Sequence, residues 1–338
     1  MSTDMMQVGV VVAPGSFEIQ HRTRPSDIPD GWVLIDICAV GLCGTDYHIL
    51  EGKHPYLEYP RVIGHELSGR IAETGNGWAK GDLVVVNPYL SCGTCRACSR
   101  GKPNCCYNIE VLGVHRDGGM GHQLAVPSGN LYPADGLSPI DAAMVEFLAI
   151  GAHAVRRSNI TKGDRVLVTG VGPIGIGTAL FARLKGANVE LLDLSQARLD
   201  MAADKFDLTQ GHNTVQAAID ATQNQGFDAV FDATGHSGAI ESGFPAVAHG
   251  GSYILVSVVK DTISFSDPEF HKREMQLIGS RNALTSDFDW VLSAFRDGQI
   301  DGKALCSGVI DIAQLADTFT SLAADRSDLI KVIVKMQD

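Results

Sequence analysis

Arg165-Val166-Leu167-Val168-Thr169-Gly170-Val171-Gly172-Pro173-Ile174-Gly175 opens the stretch around which this chain is organised, and Asp193 closes it. Val166 to Val168 is a short apolar run. Three glycines follow, then an apolar helical pattern through Leu180, Phe181 and Leu184, and then a second run, Val189-Glu190-Leu191-Leu192, that ends on Asp193. The order is strand, glycine turn, helix, strand, acid. Gly170 permits the tight turn, Gly172 lets backbone approach a pyrophosphate, and Gly175 lets the helix pack on the strand. The helix amino terminus offers unpaired N–H groups to phosphates. Asp193 follows Gly175 at the distance where a carboxylate meets ribose hydroxyls. The glycine spacing alone is weak, since 37 Gly in 338 residues give about half an occurrence by chance. The flanking pattern and the acid carry the weight against a mere turn in some other α/β domain. The stretch reads as a dinucleotide site that prefers NAD, because a 2′-phosphate would face Asp193.

The length suggests two domains with substantial cores. Apolar residues make up 45% and charged residues 20%, which is ordinary for a soluble globular protein. A net charge of −12 argues against nucleic acid or an acidic membrane surface as partner. No apolar run approaches the ~18 residues of a membrane span. The start, Met1-Ser2-Thr3-Asp4-Met5-Met6, lacks the basic and apolar parts of a signal peptide. A cytoplasmic location is therefore expected. There, eight cysteines point to metal or catalysis before disulfides.

From the amino terminus the chain reads as β: Val8 to Ala13, Phe17 to His21, and Trp32 to Val40, with Pro14-Gly15 and Pro25 to Gly31 as turns. The third run leads into Gly41-Leu42-Cys43-Gly44-Thr45-Asp46-Tyr47-His48, and Gly64-His65-Glu66 follows another apolar run. A thiolate, an imidazole and a carboxylate are the ligand types of an open, catalytic zinc site. Cys92-Gly93-Thr94-Cys95-Arg96-Ala97-Cys98, followed by Cys106, gives the spacing C-x2-C-x2-C-x7-C. Four cysteines so placed are expected by chance only about once in ten thousand such chains. Four thiolates close a tetrahedral zinc and make it structural, in a loop with too little apolar content to fold unaided. An iron–sulfur cluster is the rival. Cys106 rather than Cys105 keeps the x7 spacing.

Ala142 to Val155 reads as an apolar helix carrying one acid, Glu146, which needs a partner such as zinc or a salt bridge at the helix start. After Asp193 the βα alternation continues through strands at Phe227–Phe231, Gly251–Val259 and Met275–Ile278. These complete an open parallel sheet of about six strands whose ligands bind beyond the carboxyl ends. Asp287 to Arg296 and Ile312 to Leu322 read as helices, Leu329 to Lys335 as a closing strand, and Trp290 as core packing on Phe295.

Together these motifs resemble the zinc-dependent medium-chain dehydrogenases, in the branch of sorbitol and related polyol dehydrogenases. Gly41-x-Cys43-Gly44-Thr45-Asp46, Gly64-His65-Glu66, the four-cysteine lobe, Gly170-x-Gly172-x-x-Gly175 and Gly279-Ser280-Arg281-Asn282 match in order across nearly the whole chain. The resemblance implies a GroES-like β catalytic domain interrupted by a Rossmann domain with a doubly wound parallel sheet. The first takes residues 1–152 and 284–338, with the zinc lobe at 88–108, and the second takes 153–283. A homodimer or homotetramer is also implied. Two positions depart from the family: Phe147 stands where Pro is common after the glutamate, and Met120 stands where Phe is common after the glycine pair.

The resemblance further implies two zinc ions and NAD. Catalytic zinc on Cys43, His65 and Glu66 would bind a substrate hydroxyl and lower its pKa, with Glu146 as fourth ligand or as a partner of the bound water or substrate. Thr45 and His48 would carry the proton away, although His48 also suits a purely structural bond at a helix start. Pro173 and Ile174 would pack near the cofactor with Ser257, and Arg198 would stack over adenine. A zinc-free quinone reductase and a non-catalytic scaffold are the alternatives, and the full ligand set argues against both. The expected substrate is a polyol or a sugar acid such as a hexonate. Arg116, beside Gly118-Gly119, could clamp a carboxylate or could instead be a surface partner of Asp117 or another acid.

Overall fold

The computed structural model describes residues 5–54 and 57–336. The chain divides into two compact units, Met1–Glu146 with Val291–Asp338, and Phe147–Trp290. The first is built around the strand Trp32–Leu42, in which Val33, Ile35, Ile37 and Ala39 are buried and the residues between them half-buried. That period of two is what a pleated strand with one core face requires. Each fully buried Ile contributes roughly 2 kcal/mol of hydrophobic stabilisation. Glu66–Ile71 pairs antiparallel with one edge, while Gln123–Pro127 and Lys331–Lys335 pair antiparallel with the first and last parts of the other. Lys331–Lys335 then pairs parallel with Cys306–Asp311, which returns the end of the chain to its beginning. A three-stranded sheet of Met5–Ala13, Ser16–Thr23 and Arg61–Val62 belongs to the same unit.

The second unit is an open sheet of six parallel strands. Their order is Gly211–His212, Asn188–Leu192, Arg165–Thr169, Phe227–Asp232, Val247–Leu255 and Gln276–Gly279. Val166, Leu167 and Val168 are wholly buried, as expected of a strand covered on both faces. The chain winds outward from Arg165–Thr169 on one side, then crosses to Phe227–Asp232 on the other. The direction of winding therefore reverses between those two strands.

Several sequence expectations shift. The helix expected over Ala142–Val155 is two helices, Pro139–Ala143 and Val145–Ser158. Ser138 caps the first by accepting the Asp141 N–H, and Pro139 opens it, a start signal inside what reads as loop. The strand expected over Gly251–Val259 begins at Val247 and stops at Leu255, because the Val256 and Ser257 N–H groups turn back onto the Asp232 carbonyl. Trp290 packs edge-on against Phe181, ring centroids 4.8 Å apart, where Phe295 was expected.

One buried ion cluster staples the second unit. Asp287 Oδ2 lies 2.7 Å from His153 Nδ1 and accepts the Leu284 N–H, while Oδ1 accepts Arg156 Nε at 2.7 Å. Burial pushes the Asp287 carboxyl up, but His153 and Arg156 outweigh it and hold the group below the usual carboxylate range. A lowered folded-state pKa contributes stability above the unfolded value of about 4, lost as pH falls through the folded one. Asp287→Asn should therefore cost about 2 kcal/mol at pH 7, below the ~3–5 kcal/mol of a fully buried pair because Arg156 is partly solvated. In denaturation followed from pH 7 to 3, the gap from wild type should narrow below about pH 4. A gap constant with pH would remove the charge from the explanation.

Candidate metal centres and nucleotide crevice

Strand register assembles the first site. Gly41 pairs with Glu66 on one side and with Ile333 on the other, so the carboxyl end of Trp32–Leu42 meets the start of both neighbours. Cys43 leaves one strand, His65 and Glu66 enter the second, and Lys331 enters the third. Cys43, His65 and Glu66 each offer a ligand atom within 4.8 Å of the others. Gly41 is required here: a Cβ on it would stand 2.2 Å from Glu66 Oε2. The turn that follows Gly113 fixes His65 from outside, with the N–H groups of Gly118, Gly119 and Met120 bonded to the carbonyls of Val62, Gly64 and Ile63.

Charges around this cluster are compensated in specific ways. Lys331, itself buried, donates to Glu66 Oε1 at 2.6 Å and to the Leu42 carbonyl at 3.1 Å. Glu66 Oε2 is buried with no hydrogen-bond partner, and so is His65 Nδ1. Asp46 accepts the N–H groups of Cys43 and Gly64 and stands 3.7 Å from His65 Nδ1. Burial works to lower the His65 pKa, yet Asp46 and Cys43 raise it well above the ordinary value. An orphaned carboxylate oxygen beside an imidazole and a thiol is the unmet demand that a zinc-sized cation satisfies. The residues fit the metal.

Glu146 is near enough to that group for the charges of His65 and Glu66 to act on its carboxyl. Its carboxyl accepts a short hydrogen bond from the buried Tyr89 hydroxyl, and burial pushes it up to about 7. Within the protein a phenol hydroxyl, rather than a salt bridge at the helix start, answers the buried carboxyl. Thr45 Oγ1 lies 3.8 Å from Cys43 Sγ, and His48 is exposed one helical turn further along Gly44–Leu50.

The second metal set is local. Cys92, Cys95, Cys98 and Cys106 bring their sulfurs together, with pairs at 3.4, 3.5 and 3.9 Å. Zinc–sulfur bonds of about 2.3 Å in a tetrahedron place ligand sulfurs about 3.8 Å apart, so this cluster also fits. The backbone N–H groups of Cys92 and Cys95 point at Cys106 Sγ and Cys92 Sγ. Hydrogen bonds from Thr94 and Cys95 pull the Cys92 thiol down to about 6. Cys105 is exposed and outside the group.

In the parallel-sheet unit, Gly170 has φ +88°, and a Cβ on Gly175 would stand 1.8 Å from the Gly170 carbonyl oxygen. Helix Pro173–Leu184 could not approach its strand with any other residue at 175. Gly172 caps that helix, and the space its side chain would fill faces only Arg198, whose Nη1 is 3.6 Å away. Pro173 and Ile174 form the helix's half-buried first turn. Asp193 accepts the N–H groups of Val171 and Ser195, one on each oxygen, which leaves each oxygen a lone pair for a ribose hydroxyl. Ser257 Oγ accepts the Gly235 N–H at 2.8 Å.

Arg116 lies on the surface beside an acid other than Asp117. Its half-exposed guanidinium lies 3.6 Å from Glu110 and over the Trp32 ring at 5.7 Å. Asp117 instead binds Arg22 and Arg61. The head that was to clamp a carboxylate is already placed against an acid and an indole. Met120 is wholly buried beside Gly9, a core contact rather than a pocket wall. Asp46, Tyr89 and Lys331 received no role from the sequence. Asp46 could have been found as the third residue of a capping box begun at Cys43. Nothing local marks the other two.

Residues 29–136 match the alcohol dehydrogenase GroES-like domain, and residues 173–297 match the zinc-binding dehydrogenase domain. Over 98% of its length the chain is 39% identical to L-galactonate-5-dehydrogenase of Escherichia coli, of which it covers 99%. The chain belongs to the zinc-dependent medium-chain dehydrogenases, in the polyol dehydrogenase-like branch, and is an oxidoreductase acting on CH–OH groups. It is also 32% identical to 2-dehydro-3-deoxy-L-galactonate 5-dehydrogenase of Pseudoalteromonas atlantica, over 86% of this chain and 88% of that one. Among solved structures it is similar to the alcohol dehydrogenase RspB of Escherichia coli in complex with NADH. There the TM-score is 0.91 at 27% identity, over 98% of this chain and all of that one. Among the described residues no helix is long and apolar enough to cross a membrane.

The Lys331–Glu66 pair gives a direct test of how the cluster is held. Lys331→Met should destabilise chelator-treated protein by about 3–5 kcal/mol, because it leaves a buried carboxylate unpaired. Lys331→Arg should recover part of that loss. A change below about 1 kcal/mol on urea denaturation would mean that Glu66 is charge-compensated by other groups.

Proposed function

We propose that this enzyme is an NAD-dependent, zinc-dependent dehydrogenase that oxidises the C5 hydroxyl of a hexonate to the ketone, and reduces it in reverse. The observation that carries the substrate class is the whole-length identity to a dehydrogenase named for L-galactonate, supported by a second relative named for a related sugar acid. Arg116, beside Glu110, carries no part of this preference, which rests on those relatives.

When bound, zinc supplies Lewis-acid polarisation of the substrate hydroxyl, and the nicotinamide ring accepts the hydride. Cys43, His65 and Glu66 hold the metal, with Lys331 keeping one Glu66 oxygen occupied so that the other faces it. Glu146, whose carboxyl burial raises to about 7 and which accepts from Tyr89, stands ready to hold a substrate oxygen or a water. Thr45 takes the hydroxyl proton and passes it to exposed His48, from which it reaches solvent. Cys92, Cys95, Cys98 and Cys106 hold the structural zinc. Gly172, the first turn from Pro173, Asp193, Arg198 and Ser257 hold the dinucleotide. We place the enzyme in the cytoplasm, where cysteines outside disulfides stay reduced, and expect a homodimer or homotetramer.

The test is reduction of NAD followed in the presence of L-galactonate, another hexonate and the matching hexitols, before and after removal of metal by a chelator. A hexonate should be oxidised at least about tenfold faster than its hexitol in kcat/KM, which is about 1.4 kcal/mol. Chelation should abolish the rate, and zinc should restore it. NAD should exceed NADP by at least about 100-fold, since a 2′-phosphate meets Asp193 at a cost of about 3 kcal/mol. Equal rates on hexonate and hexitol would overturn the substrate class, and equal use of the two cofactors would overturn the role of Asp193.

A further inference from the structure

Asp232 is wholly buried at the carboxyl end of its strand, with neutral donors around its carboxylate. It sits in register with Thr169, the residue before Gly170, across the pair of strands where the sheet reverses its winding. In an open parallel sheet the ligand crevice lies there, beyond the carboxyl ends. Oδ1 accepts the Thr234 N–H at 3.0 Å, the Thr234 hydroxyl at 2.9 Å and the Ser257 hydroxyl at 3.5 Å, while Oδ2 accepts the Tyr253 hydroxyl at 3.3 Å. Three of these four donors belong to the two loops that bound the crevice. The bonds continue outward, since Ser257 Oγ accepts the Gly235 N–H and Thr234 Oγ1 accepts the His236 N–H. The loop so held packs against the glycine turn. A Cβ on Gly170 would lie 3.1 Å from the Ala233 carbonyl carbon and from Thr234 Cα.

We propose that Asp232 is a positioning residue, whose carboxylate fixes the loops after Phe227–Asp232 and Val247–Leu255 and so pre-orders the crevice for the dinucleotide. The inference rests on the dinucleotide reading and adds a residue that does not itself touch the cofactor. A buried carboxylate satisfied only by neutral donors does not need its charge for this task. An amide of the same shape can accept from Thr234 through its oxygen and donate to the Tyr253 hydroxyl through its nitrogen. Apolar truncation leaves the Thr234, Ser257 and Tyr253 donors without their acceptor and frees both loops, and binding must then supply the cost of ordering them.

The experiment measures NADH affinity by fluorescence titration, together with kcat and the KM values, on the full-length enzyme. Asp232→Ala should raise the NADH Kd and the KM for NAD about tenfold, with kcat at saturating cofactor within about threefold of wild type. Asp232→Asn should restore most of that affinity. Tyr253→Phe removes the one donor outside the loops, so it should lower stability while leaving the NADH Kd within about twofold. An Asp232→Ala protein with lowered stability and unchanged NADH affinity would reduce Asp232 to a fold residue and overturn the proposal. If that variant fails to fold, Thr234→Val, which removes one of the four bonds, should still raise the Kd about threefold, and an unchanged value would again overturn it. Wild type that binds neither NADH nor NADPH would instead sink the dinucleotide reading.

Discussion

A carboxylate taken out of water must be met by a cation or by hydrogen-bond donors, and among the described residues this chain buries five: Asp46, Glu66, Glu146, Asp232 and Asp287. No two are met in the same way. Asp46 takes two backbone N–H groups and lies beside an imidazole. Glu66 takes a buried lysine on one oxygen and nothing on the other. Glu146 takes a phenol. Asp232 takes the hydroxyls and N–H of two loops, and Asp287 takes a histidine and an arginine. Full satisfaction marks the groups that hold backbone in place. The half-satisfied one, Glu66, lies among the residues suited to metal. The state of each buried acid therefore separates scaffold from chemistry more sharply than its position in the chain does.

The two metal sets differ in how they are assembled, and so in how far the sequence reveals them. The four cysteines lie within one short loop, so their spacing is already most of their geometry. Cys43, His65 and Glu66 come together only through strand register, yet they too stand out, because each follows an apolar run and has a glycine before it. Those glycines are steric requirements: Gly41 clears Glu66 Oε2, and Gly64, at φ +93°, turns the chain into His65. A clash avoided within a few residues leaves a local trace in the sequence. The glycine turn at 170–175 is legible for the same reason.

What escaped the sequence is what depends on distant partners. Lys331 reaches Glu66 from the far end of the chain, and before folding it is only a lysine opening an apolar strand. The sixth strand, Gly211–His212, is too short to show a period. Arg116 shows how little a local pattern says about a long side chain. A residue type suited to carboxylates lies near a conspicuous glycine pair, but half a dozen residues of chain do not decide which way a long side chain points. Its guanidinium lies beside Glu110 and over Trp32. Residue chemistry proposes a role, and only the neighbours decide it.

An acidic protein that takes an anionic dinucleotide faces one more constraint. At a net charge of −12 the general field repels phosphates, so the crevice has to be favourable locally. Two carboxylates stand at its carboxyl-end rim, Asp193 and Asp232, and either would oppose a phosphate if it faced one bare. Neither is bare. Asp193 spends an acceptor site of each oxygen on the backbone N–H groups of Val171 and Ser195, and Asp232 is turned inward onto hydroxyls. What remains beside Gly172 is the amino terminus of helix Pro173–Leu184 and the guanidinium of Arg198, both of positive sign. The same saturation that keeps these acids from the phosphates leaves Asp193 with acceptor capacity for hydroxyls alone. On this reading, affinity for a dinucleotide and preference between its two forms arise from one arrangement, in which each acid near the crevice is committed to donors before the cofactor arrives.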